Sequence, residues 1–189
     1  MEFLSHDKSI GNLETLGVIA EGGEGEDSPM RFRLDVEDAE EASIGPAPSG
    51  DAPRSLKADG GSLAELLDAA LHAFHLQDVM VVPALPWRAL LDLIAFDMAA
   101  DEAWQDIDAE ANLHARSRDP LLFSPDERET LLGIVRAALE HGEGAAGEFT
   151  ILAVGSPVVI GVRSPGELRL SCPAPVMQTV MGKLEPMAG

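Results

Sequence analysis

Residues 149–172 read FTILAVGSPVVIGVRSPGELRLSC, and this stretch decides the fold class. Three short runs rich in apolar and β-branched residues, 149–154, 158–163 and 167–172, are separated by Gly155-Ser156-Pro157 and Ser164-Pro165-Gly166. Glycine, serine and proline are the residues that turn a chain between strands. The last run alternates, with Leu168, Leu170 and Cys172 on one face and Glu167, Arg169 and Ser171 on the other. The pattern predicts a three-stranded antiparallel meander whose last strand is an open edge.

The flanks of this meander read as helices. Pro173 and Pro175 end the sheet, and Val176, Met177, Val180, Met181 and Leu184 form the apolar stripe of a closing helix. Upstream, Ser124-Pro125-Asp126-Glu127 combines a cap, a first-turn proline and a capping-box glutamate. It precedes the stripe Leu131, Leu132, Val135, Ala138 and Leu139, and Gly142 follows where a helix stops. Ser62 and Glu65 make a second capping box ahead of Leu63, Leu66, Leu67, Ala70, Leu71 and Phe74. The run 79–82, closed by Pro83, reads as a buried strand. Pro86 opens a further helix that is apolar nearly all round (Leu90, Leu91, Leu93, Ile94, Phe96, Met98) and is expected at the centre of the core. Beyond Asp101 the apolar face moves to Trp104, Ile107 and Ala111, which predicts a bend or a new helix near Ala100. Helices, then a meander, then a closing helix specify the α+β class.

The first sixty residues differ in composition. From Gly22 to Ala58 the chain is dominated by Gly, Pro, Ser and acids, with one strand-like stretch at 30–36 in which apolar and charged residues alternate. Such a composition buries too little apolar surface to offset its ordering entropy. The expectation is therefore an acidic, largely disordered N-terminal arm over residues 1–60 and a single α+β domain over 61–189.

Charge limits the function. There are 33 Asp and Glu against 13 Lys and Arg, a formal net charge of −20 on 189 residues. That excess repels phosphate backbones and anionic lipid, so neither nucleic acid nor membrane is an expected partner. A basic protein is, because complementary charge speeds encounter. Acidity also serves solubility, and a salt-adapted or high-GC source biases composition the same way. Cys172 is the only cysteine, which excludes an intramolecular disulfide. The N-terminus lacks a basic, apolar leader, and the longest apolar stretch, 89–100, is broken by Asp92 and Asp97. A cytoplasmic, bacterial protein is the expectation.

Candidate chemistry is sparse. Gly142-Glu143-Gly144-Ala145-Ala146-Gly147 matches G-x-G-x-x-G, but a dinucleotide site needs a strand before the glycines and a helix after them, and the order here is reversed. It reads as a connecting loop. His72 and His75 fall on the polar side of their helix and supply at most half a metal site, with Asp68 and Asp78 the nearby acids. Asp106, Asp108 and Glu110 have the 1,3,5 spacing of a calcium loop, yet Ala111 replaces its glycine and Ser117 its final glutamate. Glu110 and His114 lie four apart, not the three of dimetal bundles. No G-x-S-x-G elbow occurs, and Cys172 is expected to face inward, where thiols are inert. No cofactor or metal is expected.

What remains is the acid run Asp92, Asp97, Asp101, Glu102, Asp106, Asp108 and Glu110, with no basic residue from Ala89 to Asn112. A solvated helix face is the plain account of it. The functional account is a docking surface made of Asp97, Asp101, Glu102, Trp104, Asp106, Asp108 and Glu110, with Trp104 as its aromatic anchor. The helix–meander–helix ending and the acidity resemble small acidic secretion chaperones and adaptor modules in outline only. The expected function is a non-enzymatic acidic interaction protein, an adaptor, assembly factor or chaperone-like module. It would use that helix or the edge strand 167–172. A carboxylate- and histidine-dependent metal-binding protein or enzyme, using His72, His75 or His114, is the alternative. Self-assembly through the closing helix (Met177, Met181) is a third possibility.

Overall fold

The computed structural model describes residues 1–188, with Asp7, Lys8, Ile10 and Asp108 described by their backbone alone. In chain order the elements are β1 (Glu2–Phe3), α1 (His6–Glu14), β2 (Val18–Gly22), β3 (Met30–Leu34), β4 (Ala39–Gly45) and β5 (Arg54–Lys57). Then come α2 (Leu63–Ala73), β6 (Val79–Pro83), α3 (Trp87–Met98), α4 (Glu102–Leu113), β7 (Leu121–Phe123) and α5 (Arg128–His141). The chain ends with β8 (Phe149–Ala153), β9 (Val159–Arg163), β10 (Glu167–Pro173) and α6 (Ala174–Leu184). It is a mixed α+β protein.

Eight strands form one sheet in the order β1-β7-β6-β8-β9-β10-β4-β5. Every pairing is antiparallel except β4 with β5. Alternation along the strands divides the core into two. Val81, Ile151, Ile160, Leu170 and Cys172 point to one face and pack with Leu67, Trp87, Ile94, Leu131 and Met177 from the helices. Met80, Val82, Leu152 and Val159 point to the other and meet Leu13 of α1 with Val18, Met30, Phe32 and Leu34 of a separate β2–β3 hairpin. With both faces covered, the inner strands are apolar on both sides, as buried strands must be.

Residues 1–60 correct the sequence-based expectation of a largely disordered arm. They carry β1, α1 and β2 to β5, and β4 lies inside the main sheet between β10 and β5. A boundary at residue 60 would thus divide one sheet. Two physical reasons account for this. Ala42 and Ile44 are fully buried against the helix-side core, and the acids beside them have cationic partners, Glu40 with Arg54 and Glu41 with Arg169, each at 3.3 Å. The hairpin is tied down as well. The Met30 N–H donates to the Ala84 carbonyl at 2.8 Å, and Arg31 donates to the buried Glu148 carboxylate at 2.8 Å.

Two further corrections concern local elements. Strand β10 is not an edge, because it pairs with β9 on one side and β4 on the other. It offers no free ladder for strand addition. The expected Ser62–Glu65 box does not form either: the Ser62 hydroxyl donates to Asp59, and a tight turn over Gly60–Ser62 leads into α2. At Ser124 the expected geometry is present, with its backbone N–H donating to the Glu127 carboxylate at 2.8 Å.

Candidate partner-binding face

The acid run lies on α3 and α4, so the sequence logic of these two helices determines the site. On α3, Trp87, Leu90, Ile94 and Met98 are buried, at the spacing of one helical face. The opposite face carries Asp92, Ala95, Phe96 and Ala99 at i, i+3, i+4 and i+7. On α4, Trp104, Ile107 and Ala111 are buried, while Glu102, Asp106, Ala109, Glu110 and Leu113 look outward.

Both ends of the α3–α4 pair are fastened. At the turn, the Asp101 N–H donates to the Met98 carbonyl at 3.0 Å, and the Gln105 amide donates to the Ala99 carbonyl at 2.7 Å. The Asp101 carboxylate caps α4 by accepting the Trp104 N–H at 2.8 Å, and it also accepts the Thr130 hydroxyl of α5 at 3.1 Å. At the far end, the exit from α4 satisfies the start of α3. The N–H groups of Trp87 and Arg88 donate to the carbonyls of Ser117 and Ala115 at 3.0 and 2.8 Å, and the Trp87 indole N–H donates to Asp119 at 2.7 Å. His114, just past α4, contacts the Asp119 carboxylate at 2.8 Å and stacks on Phe3 at 4.2 Å. Burial would push the Asp119 carboxyl upward, but hydrogen bonds from Ser117 and His114 outweigh it and hold the group below the usual aspartate value.

Between the fastened ends lies a groove of about 460 Å³ lined by Leu91, Asp92, Ala95, Ala99, Trp104, Gln105 and Asn112. Phe96, four residues beyond Asp92 and three before Ala99, is 91% exposed. Leu113 stands on the outer ridge of α4 and is 84% exposed. Single exposed apolar residues are ordinary. These two stand at opposite ends of the helix pair, Phe96 near the α3–α4 turn and Leu113 at the far end of α4, as two separate exposed apolar groups.

The structure sorts the sequence-predicted residues. Glu102, Asp106 and Glu110 form an outward spine at i, i+4 and i+8. Asp97 is taken by His141 of α5 at 2.9 Å, and Asp101 is taken by its cap. Asp92 faces Arg88 at 3.5 Å. Asp108 sits on α4, its side chain outside the described residues. Trp104 is 3% exposed, so it is no surface anchor: its indole belongs to the core. Sequence reasoning missed Phe96 and Leu113 as the exposed apolar groups. The available signal for Phe96 was an all-round apolar helix, which must present something outward once one face is chosen for the core.

Other candidate chemistry resolves into structure. Gly142 and Gly147 are needed because their backbones cross: a Cβ on Gly147 would lie 2.5 Å from the Gly142 Cα. His72 and His75 are exposed, and His72 has Asp68 at 3.6 Å. Cys172 is fully buried, and burial, with the nearby Glu40 charge, pushes its thiol up to about 12. Among the described residues, no group of three or more His, Cys, Asp or Glu is gathered as a metal site, and no helix is long and apolar enough to cross a membrane. Among known proteins, no family model matches the chain, and neither a curated protein nor a solved structure is similar to it.

Proposed function

We propose that the chain is a non-enzymatic interaction protein, an adaptor, assembly factor or chaperone-like module, that holds a basic protein partner on the outer face of α3 and α4. One observation carries this reading. The carboxylates of Glu102, Asp106 and Glu110 stand in one row without a Lys or Arg on either helix beyond Arg88, and the exposed Phe96 and Leu113 accompany them.

Like charges at i,i+4 cost a helix a few tenths of a kcal/mol per pair, so the row opposes folding slightly. A partner's Lys or Arg would turn that repulsion into attraction. Covering an exposed Phe or Leu side chain would add roughly 1.5–3 kcal/mol each. Charge thus supplies steering and register, and the two apolar groups supply affinity. A cytoplasmic setting, where basic protein segments are accessible, fits this role.

The reading is tested by affinity capture with the full chain and with the variant Glu102→Gln, Asp106→Asn, Glu110→Gln, at low and high salt. Capture of a basic protein that the variant or high salt abolishes is expected. Capture of the same protein by the variant at undiminished yield would refute the docking face.

A further inference from the structure

We infer that the cleft between the loop 23–28 and the start of α3 binds a small zwitterion of the short-peptide class, its ammonium held by two loop carboxylates and its carboxylate by an arginine pair. This site is separate from the partner face on α4 and does not depend on it.

The cleft encloses about 510 Å³. Glu26 and Asp27 line it from the loop, and Arg88 of α3 and Arg116, just past α4, line it from the helices. Leu85, Pro86, Ala89 and Ala115 complete the lining with apolar surface. Cations are scarce in this chain, 13 against 33 acids, and the rule elsewhere is pairing: Arg31, Arg33, Arg54, Arg128 and Arg169 all engage carboxylates. The cleft departs from that rule. Glu26, Asp27 and Arg116 are exposed and, among the described residues, stand in no ion pair. Arg88 has Asp92 at 3.5 Å, an exposed pair of the kind that contributes little and yields easily. Opposite charges thus share one cleft without closing on each other.

The acidic side is held in position. The Arg118 guanidinium donates from Nη2 to the carbonyls of Gly25, Glu26 and Ser28 at 2.9, 3.2 and 2.9 Å, and from Nε to that of Ala84 at 3.1 Å. Gly23 and Gly25, with φ of 80° and 115°, let the loop curl around it. These bonds engage the loop through its backbone, so the Glu26 and Asp27 carboxylates stay available.

The ligand chemistry follows from the lining. A purely anionic molecule meets Glu26 and Asp27, and a purely cationic one meets Arg88 and Arg116. A molecule carrying both charges satisfies both sets: guanidinium forks suit a carboxylate, and an ammonium offers three donors to two carboxylates. Because the two sets do not touch, charges set apart fit better than the adjacent pair of an α-amino acid. A tripeptide with free ends places them about 10 Å apart when extended, with apolar side chains between. The volume is that of an ordinary small-molecule site.

The test titrates the full chain with the tripeptide alanyl-leucyl-alanine and with its N-acetylated and C-amidated forms, following backbone amide shifts by NMR. The free tripeptide is expected to bind, and each capped form about tenfold more weakly, the loss of one charge-assisted contact. Glu26→Gln with Asp27→Asn should weaken the free tripeptide about tenfold and leave the N-acetylated form unchanged. Arg116→Gln should weaken the free tripeptide and leave the C-amidated form unchanged. All three positions are exposed, where folding is insensitive to such changes. A capped form that binds as tightly as the free tripeptide, or a variant that weakens free and matching capped forms equally, overturns the placement of the two charges. No shift at the cleft with millimolar free tripeptide overturns the site. Capture of a basic protein through α4 is measured separately and stands or falls without either result.

Discussion

The Thr130 hydroxyl donates to the Asp101 carboxylate, 3.1 Å from each of its oxygens, and so couples the start of α4 to the buried face of α5. One acidic side chain therefore caps a helix and satisfies a hydroxyl that is otherwise shut away from water. Asp101 belongs to the frame of the site rather than to its surface.

Replacing Asp101 by alanine removes the cap and leaves the Thr130 hydroxyl without its acceptor. The expected loss is about 1–3 kcal/mol, read as a lower urea midpoint with unchanged slope. Asp101→Ser, which keeps a capping oxygen, should recover a large part of it. An Asp101→Ala protein as stable as the parent would show that α4 is held by other means.

The glycines at 147 and 11 should respond to alanine with opposite signs. At Gly147 the new Cβ meets the Gly142 Cα at 2.5 Å, backbone against backbone, and a cost of about 1–3 kcal/mol is expected. At Gly11, within α1, nothing lies within 4 Å, so alanine should stabilise by roughly 0.5–1 kcal/mol. Thermal or urea melts of the two variants give both signs directly.

Cys172 should be silent in the folded protein. With its thiol pushed up to about 12 by burial and by Glu40, the thiolate is scarce at pH 8, and a disulfide reagent should label the native chain very slowly and the urea-unfolded chain at once. The pH dependence follows from the raised value. The unfolded thiol ionises near its ordinary value of 9.0 while the folded one stays neutral, so this group's contribution is full below pH 9 and declines as pH rises toward 12. Cys172→Ala should remove that part of the alkaline loss.

The acid spine should cost stability. Asp106 faces Glu102 and Glu110 across two like-charge i,i+4 spacings, and Asp106→Asn relieves both. A gain of a few tenths to about 1 kcal/mol is expected at low salt, shrinking as salt screens the pairs. A loss of stability would mean that the carboxylate has a structural partner in the fold.

Much of the region from residue 62 to 184 was legible because its elements are periodic. The stripes of α2, α5 and α6 and the alternation in β10 bury most of the residues that periodicity assigns to the core, while Phe74 and Leu139 are half-buried and Val176 is exposed. Strand β4 was not legible. Its Ala-Glu-Glu-Ala-Ser-Ile-Gly reads as a polar loop, and its burial depends on β10, more than a hundred residues away, and on Arg54 and Arg169 to answer its acids. The same limit explains why β10 looked like an edge. At the site, the run of acids from Asp97 to Glu110 was legible, but not that Asp97 is engaged by His141 and Asp101 by its cap while Glu102, Asp106 and Glu110 face outward. The identity of the exposed aromatic was not, because periodicity groups residues by face without telling which face meets the sheet. Trp104 turned inward and Phe96 outward.

The most direct test separates the position of the charge from its amount. Two triple variants, Glu102→Gln with Asp106→Asn and Glu110→Gln, and Glu37→Gln with Glu143→Gln and Glu185→Gln, each remove three exposed carboxylates from a net −20. Capture of the basic partner by each is compared with the parent chain at one low salt concentration. Loss in the α4 variant alone, with the control equal to the parent, is the predicted result. Equal capture by the two variants would contradict the account, because the acidity would then act as a diffuse property of the whole surface.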